Sequence, residues 1–336
     1  MTLEGVAGQA VGRASRESHN SAFLNELCCF FCVFCYTDVH MHKSTLFFAC
    51  LAIVFALTTA GVTYRLLSEK QSGGALVGGA GLELGLPSSE KTKETSDFRA
   101  ASALVWDTNT KQIRFEQMGF ERHPIASLTK LMTAMVALDH GVPWDQSAGI
   151  ELDEYVQGGQ LLLHPGEMVS MRDLFYASLM SSANNATLAY VRVLDIPEEQ
   201  FVQEMNRKAV TLGLEQTEFT DVTGLDVGNI STAYDVARLA ETAFRDYPEI
   251  ARATSQKEYS FVVGGSGREH TIRNSNKLIT EAGEAFAGSK TGYLYEARYC
   301  LVVQGSGETG GKIAVVLGSP SESENLADVG ELLHRP

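Results

Sequence analysis

The sequence predicts one mixed α/β domain, α+β in layout, and three observations carry that reading. Strand-like runs stand at both ends of the region after residue 97, helical runs fill its middle, and no internal repeat divides it. A chain that opens and closes in strands, with helices between, is expected to pair its terminal strands in one sheet.

The elements follow in order. ASALVWDTNTKQIRFEQ, residues 101–117, reads as a hairpin of two short strands around a DTNTKQ turn. HPIASLTKLMTAMVALDHG, residues 123–141, carries Leu128, Leu131, Met132 and Met135 at i, i+3, i+4 and i+7, with Gly141 and Pro143 as a stop. This predicts a mostly buried helix of about four turns with Ser127 in its first turn. MRDLFYASLM (171–180) and ATLAYVRVL (186–194) predict two more apolar helices, with the polar stretch SSANN between them. PEEQFVQEMNRKAVTL (197–212) has Pro197 at its start, Glu198 and Glu199 in its first turn and Gly213 at its end, the signals of a capped helix. Another helix, STAYDVARLAETAF, begins at Ser231. The last third turns to strands, YSFVV, then RYCLVVQ and KIAVVLG around a GSGETGG turn, and closes in a helix at 322–334.

The 336 residues are 44% hydrophobic and 20% charged, enough to bury a sizeable core. The net charge of −14 lies wholly after residue 71: the first 71 residues hold 5 basic and 5 acidic side chains, the remainder 22 and 36. That excess argues against a nucleic-acid partner, which calls for a basic surface. Cys28, Cys29, Cys32 and Cys35 crowd into ELCCFFCVFCY, Cys50 follows, and Cys300 stands alone in the main domain, which therefore has no internal disulfide. The clustered cysteines alternate with Phe and Val and read as apolar packing; no metal and no cofactor is expected.

Residues 44–64, STLFFACLAIVFALTTAGVTY, run 21 residues without a charge, about the length that crosses a bilayer. They read as a transmembrane anchor or an export signal. Thr58-Thr59-Ala60 offers a small-residue end for a signal peptidase, and MHK at 41–43 a short basic start. Residues 1–43 are then an N-terminal segment that a start at Met41, or processing, would leave out of the mature protein. Residues 65–97, rich in Gly, Ser and charge, read as a flexible linker, and 98–336 as the catalytic domain.

Three short motifs carry the chemistry. Ser127 and Lys130 stand three apart on one helical face, a nucleophile beside a base, although alone they fit a helix cap and a solvated lysine better. Ser182-Ala183-Asn184 falls in the break between two buried helices, and Lys290-Thr291-Gly292 is placed just before a strand in GSKTGYLYEARYCLVV. In this order the three form an S-x-x-K, S-x-N, K-T-G set. Together with PIASLTKLMTA, MSSANNA, FVQEMNRKAVTLGL, TGLD…STAYDVARLA and RNSNKLI, the set resembles the serine-type D-alanyl-D-alanine carboxypeptidases, the low-molecular-weight penicillin-binding proteins. The resemblance runs from about residue 99 to about residue 320.

The resemblance implies a β-lactamase/transpeptidase-like fold, with an antiparallel sheet, flanking helices and an all-helical subregion. It implies that Ser127 attacks the carbonyl between two D-alanines of a peptidoglycan stem peptide, that Lys130 takes its proton, and that Ser182 relays it to the leaving amine. Lys290 and Thr291 would hold the terminal carboxylate, Asn184 the stem-peptide amide, and Gly292 would leave room for the substrate backbone. The backbone N–H groups of Ser127 and Tyr293 would form the oxyanion hole, and β-lactam antibiotics would acylate the same serine. A lysine is a base only when neutral, so Lys130 is expected to be desolvated and pressed by Lys290 as a second cation.

Departures from the family pattern are Ala183 where Gly is frequent, and Leu294 and Arg298 where Thr and Gly are frequent. The second, all-β domain and the C-terminal amphipathic anchor of many relatives are expected to be absent, with the N-terminal span in the anchor's place. Alternatives are a D,D-endopeptidase on the same residues, a class A-like β-lactamase with Glu204 as the nearest candidate for its extra carboxylate, and a non-catalytic peptidoglycan-binding protein. Such a binder has no need of Lys130. The substrate places the domain on the outer face of the cytoplasmic membrane if anchored, or in the periplasm or medium if the signal is cleaved.

Overall fold

Residues 98–335 are described by a computed structural model. The predicted hairpin forms from Ser102–Asp107 (β1) and Gln112–Gln117 (β2). Its turn is organised by Asp107, whose carboxylate accepts from the backbone N–H groups of Asn109 and Thr110 at 2.9 and 3.0 Å. With the Arg114 guanidinium beside it, those donors hold the Asp107 carboxyl well below the usual carboxylate range.

Helices Thr129–Asp139 (α1), Met171–Met180 (α2), Asn184–Val193 (α3), Glu198–Thr211 (α4), Ala233–Asp246 (α5) and Pro248–Ser255 (α6) follow. The small hairpin Glu258–Val262 (β3) and Glu269–Arg273 (β4) comes next, then the single turn Lys277–Thr280 (α7). Strands Phe286–Leu294 (β5), Arg298–Gly305 (β6) and Lys312–Ser319 (β7) precede Glu322–His334 (α8). Polar caps set several helix starts: Ser170 and Asp173 form a capping box on α2, and Thr232, Asn276 and Ser321 accept the first free N–H groups of α5, α7 and α8.

The main sheet has the order β2-β1-β7-β6-β5, every pair antiparallel. The first strand thus lies against the last, Val105 opposite Ala314, as the sequence leads one to expect. Side chains alternate between two cores. Leu104, Trp106, Val302, Ile313 and Val315 face the helical layer, while Ala103, Val105, Leu301, Val303, Ala314 and Val316 face Val329, Leu332 and Leu333 of α8. Burial on both faces explains why KIAVVLG reads as a continuous apolar run rather than an alternating one. α1 is buried from Thr129 to Ala137, a helix inside the helical layer rather than on its surface.

Several boundaries differ from the sequence reading. α1 begins at Thr129, because Ala126, at φ +48°, cannot continue a helix, and residues Ala126–Leu128 form a separate tight 3-10 turn. Ser127 therefore sits on that turn and not in the α-helix. Pro197 caps α4 from outside, and Ser231 pairs with His123 as extended chain before α5 begins at Ala233. Lys290-Thr291-Gly292 precedes the predicted strand, β6, but itself lies inside β5, a strand the sequence reading lacked. α6, announced only by Pro248, and β4 are additions that the sequence reading lacked. The expected segments 1–43, 44–64 and 65–97, with their cysteines, lie outside the described residues; among the described residues no helix is long and apolar enough to cross a membrane.

Candidate functional site

The turn that carries Ser127 is held by its neighbours rather than by its own preference. Ala126 takes a left-handed conformation that a non-glycine residue adopts only when the surroundings impose it. Two glycines make those surroundings possible. A methyl group on Gly224 would lie 2.0 Å from the Ala126 carbonyl oxygen, and one on Gly292 would lie 2.9 Å from the Ile125 oxygen and 3.2 Å from the Ser127 nitrogen. The turn is thus wedged between the 221–229 loop and β5, and Ile125 donates its N–H to the Asn229 carbonyl at 3.0 Å. At Gly292 the absent side chain makes room for this turn, while the residue itself lines the cleft.

Lys130 is wholly buried in the first turn of α1. Its Nζ donates to Ser127 Oγ at 2.9 Å, Asn184 Oδ1 at 2.6 Å and the Thr223 carbonyl at 2.5 Å. Burial lowers the ammonium to a pKa of about 7, opposed by the negative charge of Asp221. A neutral Lys130 is therefore within reach near neutral pH, as it is not for a lysine in water. Lys290, also buried, donates to Ser182 Oγ and to the Thr291 carbonyl, both at 2.8 Å. Burial first, then repulsion from Lys130, presses Lys290 well below its ordinary range. The sequence reading expected burial and Lys290 together to press Lys130; burial leads, the repulsion between the two lysines is expressed on Lys290, and Asp221, which the sequence reading did not include, opposes the effect of burial on Lys130.

The middle motif is a clamp. Ser182 stands at φ +60° between α2 and α3, again a strained position for a side chain that must face a neighbour. Asn184 gives its oxygen to Lys130, its amide to the Gln157 carbonyl at 2.6 Å and its backbone N–H to the Gly159 carbonyl at 2.7 Å. One amide hydrogen and one lone pair remain for anything further. Asn185 ties Leu161 through both its backbone groups, at 2.8 and 3.0 Å, so the SSANN stretch fixes the facing loop as well. Gly158 and Gly159 allow that contact: a methyl on either would come within 2.7 Å of Asn184 or Ser182.

Ser127, Ser182, Asn184, Thr291, Gly292 and Tyr293 line one cleft of about 460 Å³, with Lys130 and Lys290 buried beneath it. Thr291 Oγ1 meets Ser275 Oγ at 2.5 Å. Tyr293 is 55% exposed at the rim, its ring 4.5 Å from that of Tyr299. All eight residues singled out from the sequence therefore meet at one place. Sequence reasoning missed Asp221, Thr223, Gly224, Gly158, Gly159 and Ser275. Of these, Thr223 and Gly224 lie in the TGLD run and Ser275 in RNSNKLI, both of which carried the family resemblance but were given no role in the site.

Glu204 does not belong to the site: its carboxylate accepts from His140 and, at 3.3 Å, from Gln200. Among the described residues the carboxylate on the cleft is Glu322, paired with Lys277 at 2.6 Å. No group of three or more His, Cys, Asp or Glu suited to a metal ion occurs among the described residues.

Chemically the arrangement offers a hydroxyl bonded to an amine whose pKa is lowered by burial, a second hydroxyl bonded to a second amine, and a strand edge alongside. Residues 89–321 match the family described as Peptidase S11, D-alanyl-D-alanine carboxypeptidase. The chain is 33% identical to a D-alanyl-D-alanine endopeptidase of Pseudomonas aeruginosa, over 70% of this chain and 76% of that one. It is 32% identical to the D-alanyl-D-alanine carboxypeptidase DacF of Bacillus subtilis, over 72% of this chain and 63% of that one. Among solved structures, the Streptomyces K15 DD-transpeptidase superposes with a TM-score of 0.63 at 26% identity, covering 70% of this chain and 96% of that one.

Proposed function

Because this chain belongs to the D-alanyl-D-alanine carboxypeptidases of peptidase family S11, we propose that it releases the terminal D-alanine of peptidoglycan stem pentapeptides through an acyl-enzyme on Ser127. Its fold is the mixed α/β fold of the DD-transpeptidases and penicillin-binding proteins, and it is a serine hydrolase. The observation that carries the residue assignment is the Lys130 Nζ to Ser127 Oγ hydrogen bond at 2.9 Å, made by a buried lysine whose pKa falls to about 7.

In this reading neutral Lys130 takes the Ser127 proton as Oγ attacks the carbonyl carbon between the two D-alanines. The oxyanion develops towards the backbone N–H groups of Ser127 and Tyr293, where one donor contributes about 3 kcal/mol. Ser182, bonded to Lys290, relays that proton: it gives its own to the departing D-alanine amine and is reprotonated by the Lys130 ammonium, which returns to the neutral form. The substrate carboxylate binds Lys290 and Thr291, and its arrival favours the charged form of Lys290 that burial otherwise resists. Water then hydrolyses the ester. A β-lactam ring enters the same sequence and stops at the acyl-enzyme.

Incubation with benzylpenicillin followed by intact-mass and peptide mass spectrometry tests this: one adduct is expected, on Ser127, with a lifetime long compared with mixing. Fast release of opened penicillin would favour a β-lactamase instead. Acylation should also rise with pH through about 7, because only the neutral form of Lys130 accepts a proton. A stopped-flow acylation profile that is flat from pH 5.5 to 8.5 would remove Lys130 from the role of base.

A second reading, cleavage of D,D cross-links, is favoured by the relatives from Pseudomonas aeruginosa, Escherichia coli and Haemophilus influenzae, which carry the name endopeptidase. Parallel assays on a free pentapeptide and on cross-linked muropeptide dimers separate the two by which product accumulates. The substrate lies outside the cytoplasmic membrane, so the domain is assigned to that side, held by residues 44–64 or released after cleavage of that segment. Protease added to spheroplasts should digest the domain; protection would contradict the assignment.

A further inference from the structure

We propose that Asp221 is the positioning residue for the base: its carboxylate gathers the 221–229 loop around itself and so aims the Thr223 carbonyl at the Lys130 ammonium. The inference rests on the reading of Lys130 as the base. Asp221 Oδ1 accepts the backbone N–H groups of Thr223 at 2.9 Å and Gly224 at 2.5 Å, and Asn229 Nδ2 at 2.9 Å. Oδ2 accepts the backbone N–H groups of Leu225 at 3.0 Å and Asp226 at 2.9 Å, and Thr223 Oγ1 at 3.1 Å. Four consecutive backbone donors thus converge on one carboxylate.

Turning the four N–H groups inward leaves the Thr223 carbonyl free to meet Lys130 at 2.5 Å. The same winding puts Gly224 at φ +86° against the Ala126 carbonyl. Asn229, bonded to Asp221, accepts the Ile125 N–H through its own carbonyl. One carboxylate therefore locates both the base and the turn that carries the nucleophile, without touching either.

Asp221 also acts through its charge. The charged groups that bear on Lys130 are Asp221 from the loop and Lys290 from β5, whose repulsion with Lys130 is mutual; Glu198, at the start of α4, faces Asp221 from the neighbouring cavity. Ser127 and Asn184, the other partners of Lys130, are neutral. Of these groups only Asp221 favours the protonated lysine at close range, and it offsets part of the effect of burial.

The test is the pH profile of benzylpenicillin acylation, with Asp221→Asn, Asp221→Glu and the unaltered protein compared. Asp221→Asn keeps one acceptor oxygen but loses the charge. Its maximal acylation rate is expected to fall about tenfold through misplacement of the base, and its ascending limb to move to lower pH, since the neutral lysine is no longer opposed by an anion. Asp221→Glu keeps the charge at the wrong reach, so its rate should fall with the limb unmoved. A purely structural role would lower rates and leave both limbs in place, and that result for Asp221→Asn overturns the proposal.

Should Asp221→Asn give no cooperative thermal melt, Thr223→Val serves in its place. It removes the hydroxyl that donates to the carboxylate and accepts the Leu225 N–H at 3.2 Å, and it keeps the carbonyl and the charge. A several-fold slower acylation at an unchanged limb is expected, and an unchanged rate overturns the positioning role. Unaltered protein that forms no Ser127 adduct would instead defeat the reading of Ser127 and Lys130 on which the proposal rests.

Discussion

Ser127→Ala is expected to abolish the penicillin adduct and to lower D-alanine release by about 10⁴- to 10⁶-fold, the loss seen when a covalent nucleophile is removed from a site whose other parts survive. Those parts should survive here. Lys130 keeps Asn184 and Thr223 as partners, so the buried ammonium is not orphaned, and one hydrogen bond is worth only about 1 kcal/mol of net stability. The melting temperature should stay within a few degrees of the unaltered protein. A variant that melts normally and still releases D-alanine at the original rate would exclude Ser127 as the nucleophile.

The second large effect is expected at a residue that takes no part in the chemistry. Gly224→Ala forces an L side chain into φ +86°, a strain of about 1 to 3 kcal/mol. It also drives a methyl to 2.0 Å from the Ala126 carbonyl oxygen. Backbone cannot rotate away as a flexible side chain would, so the loop and the nucleophile turn must separate. Displacement of catalytic atoms by about 1 Å costs about 10²-fold in rate. Acylation should therefore fall by at least that factor, together with a lowered melting temperature. Gly141→Ala, at a similar φ but with open space around it, supplies the comparison: a loss of stability with acylation intact. Equal acylation rates in the two variants would show that the turn does not depend on Gly224.

How much was legible beforehand varies along the chain. The strands β1, β6 and β7 and the helices α2 and α8 were readable because burial leaves apolar runs of element length bounded by polar or turn-forming residues. The start of α1 was not, because the conformation of Ala126 is imposed by Gly224 and Gly292, residues far away in sequence. The Ser127–Lys130 pair was readable because both lie within one turn of chain, and Ser182 and Lys290 because their motifs are short and ordered. Asp221 and Thr223 were hidden for the opposite reason. Thr223 contributes a carbonyl, which every residue has, and the Asp221 nest is a matter of backbone direction that side-chain identity does not reveal.

By itself, then, the sequence determined the fold class, the family and the identity of the groups that meet in the cleft, since each depends on local periodicity or on side-chain type. Only the tertiary structure decided the state in which Lys130 meets Ser127. Its proton affinity depends on removal from water and on the nearby charge of Asp221, and neither has a value until elements distant in sequence close around the lysine.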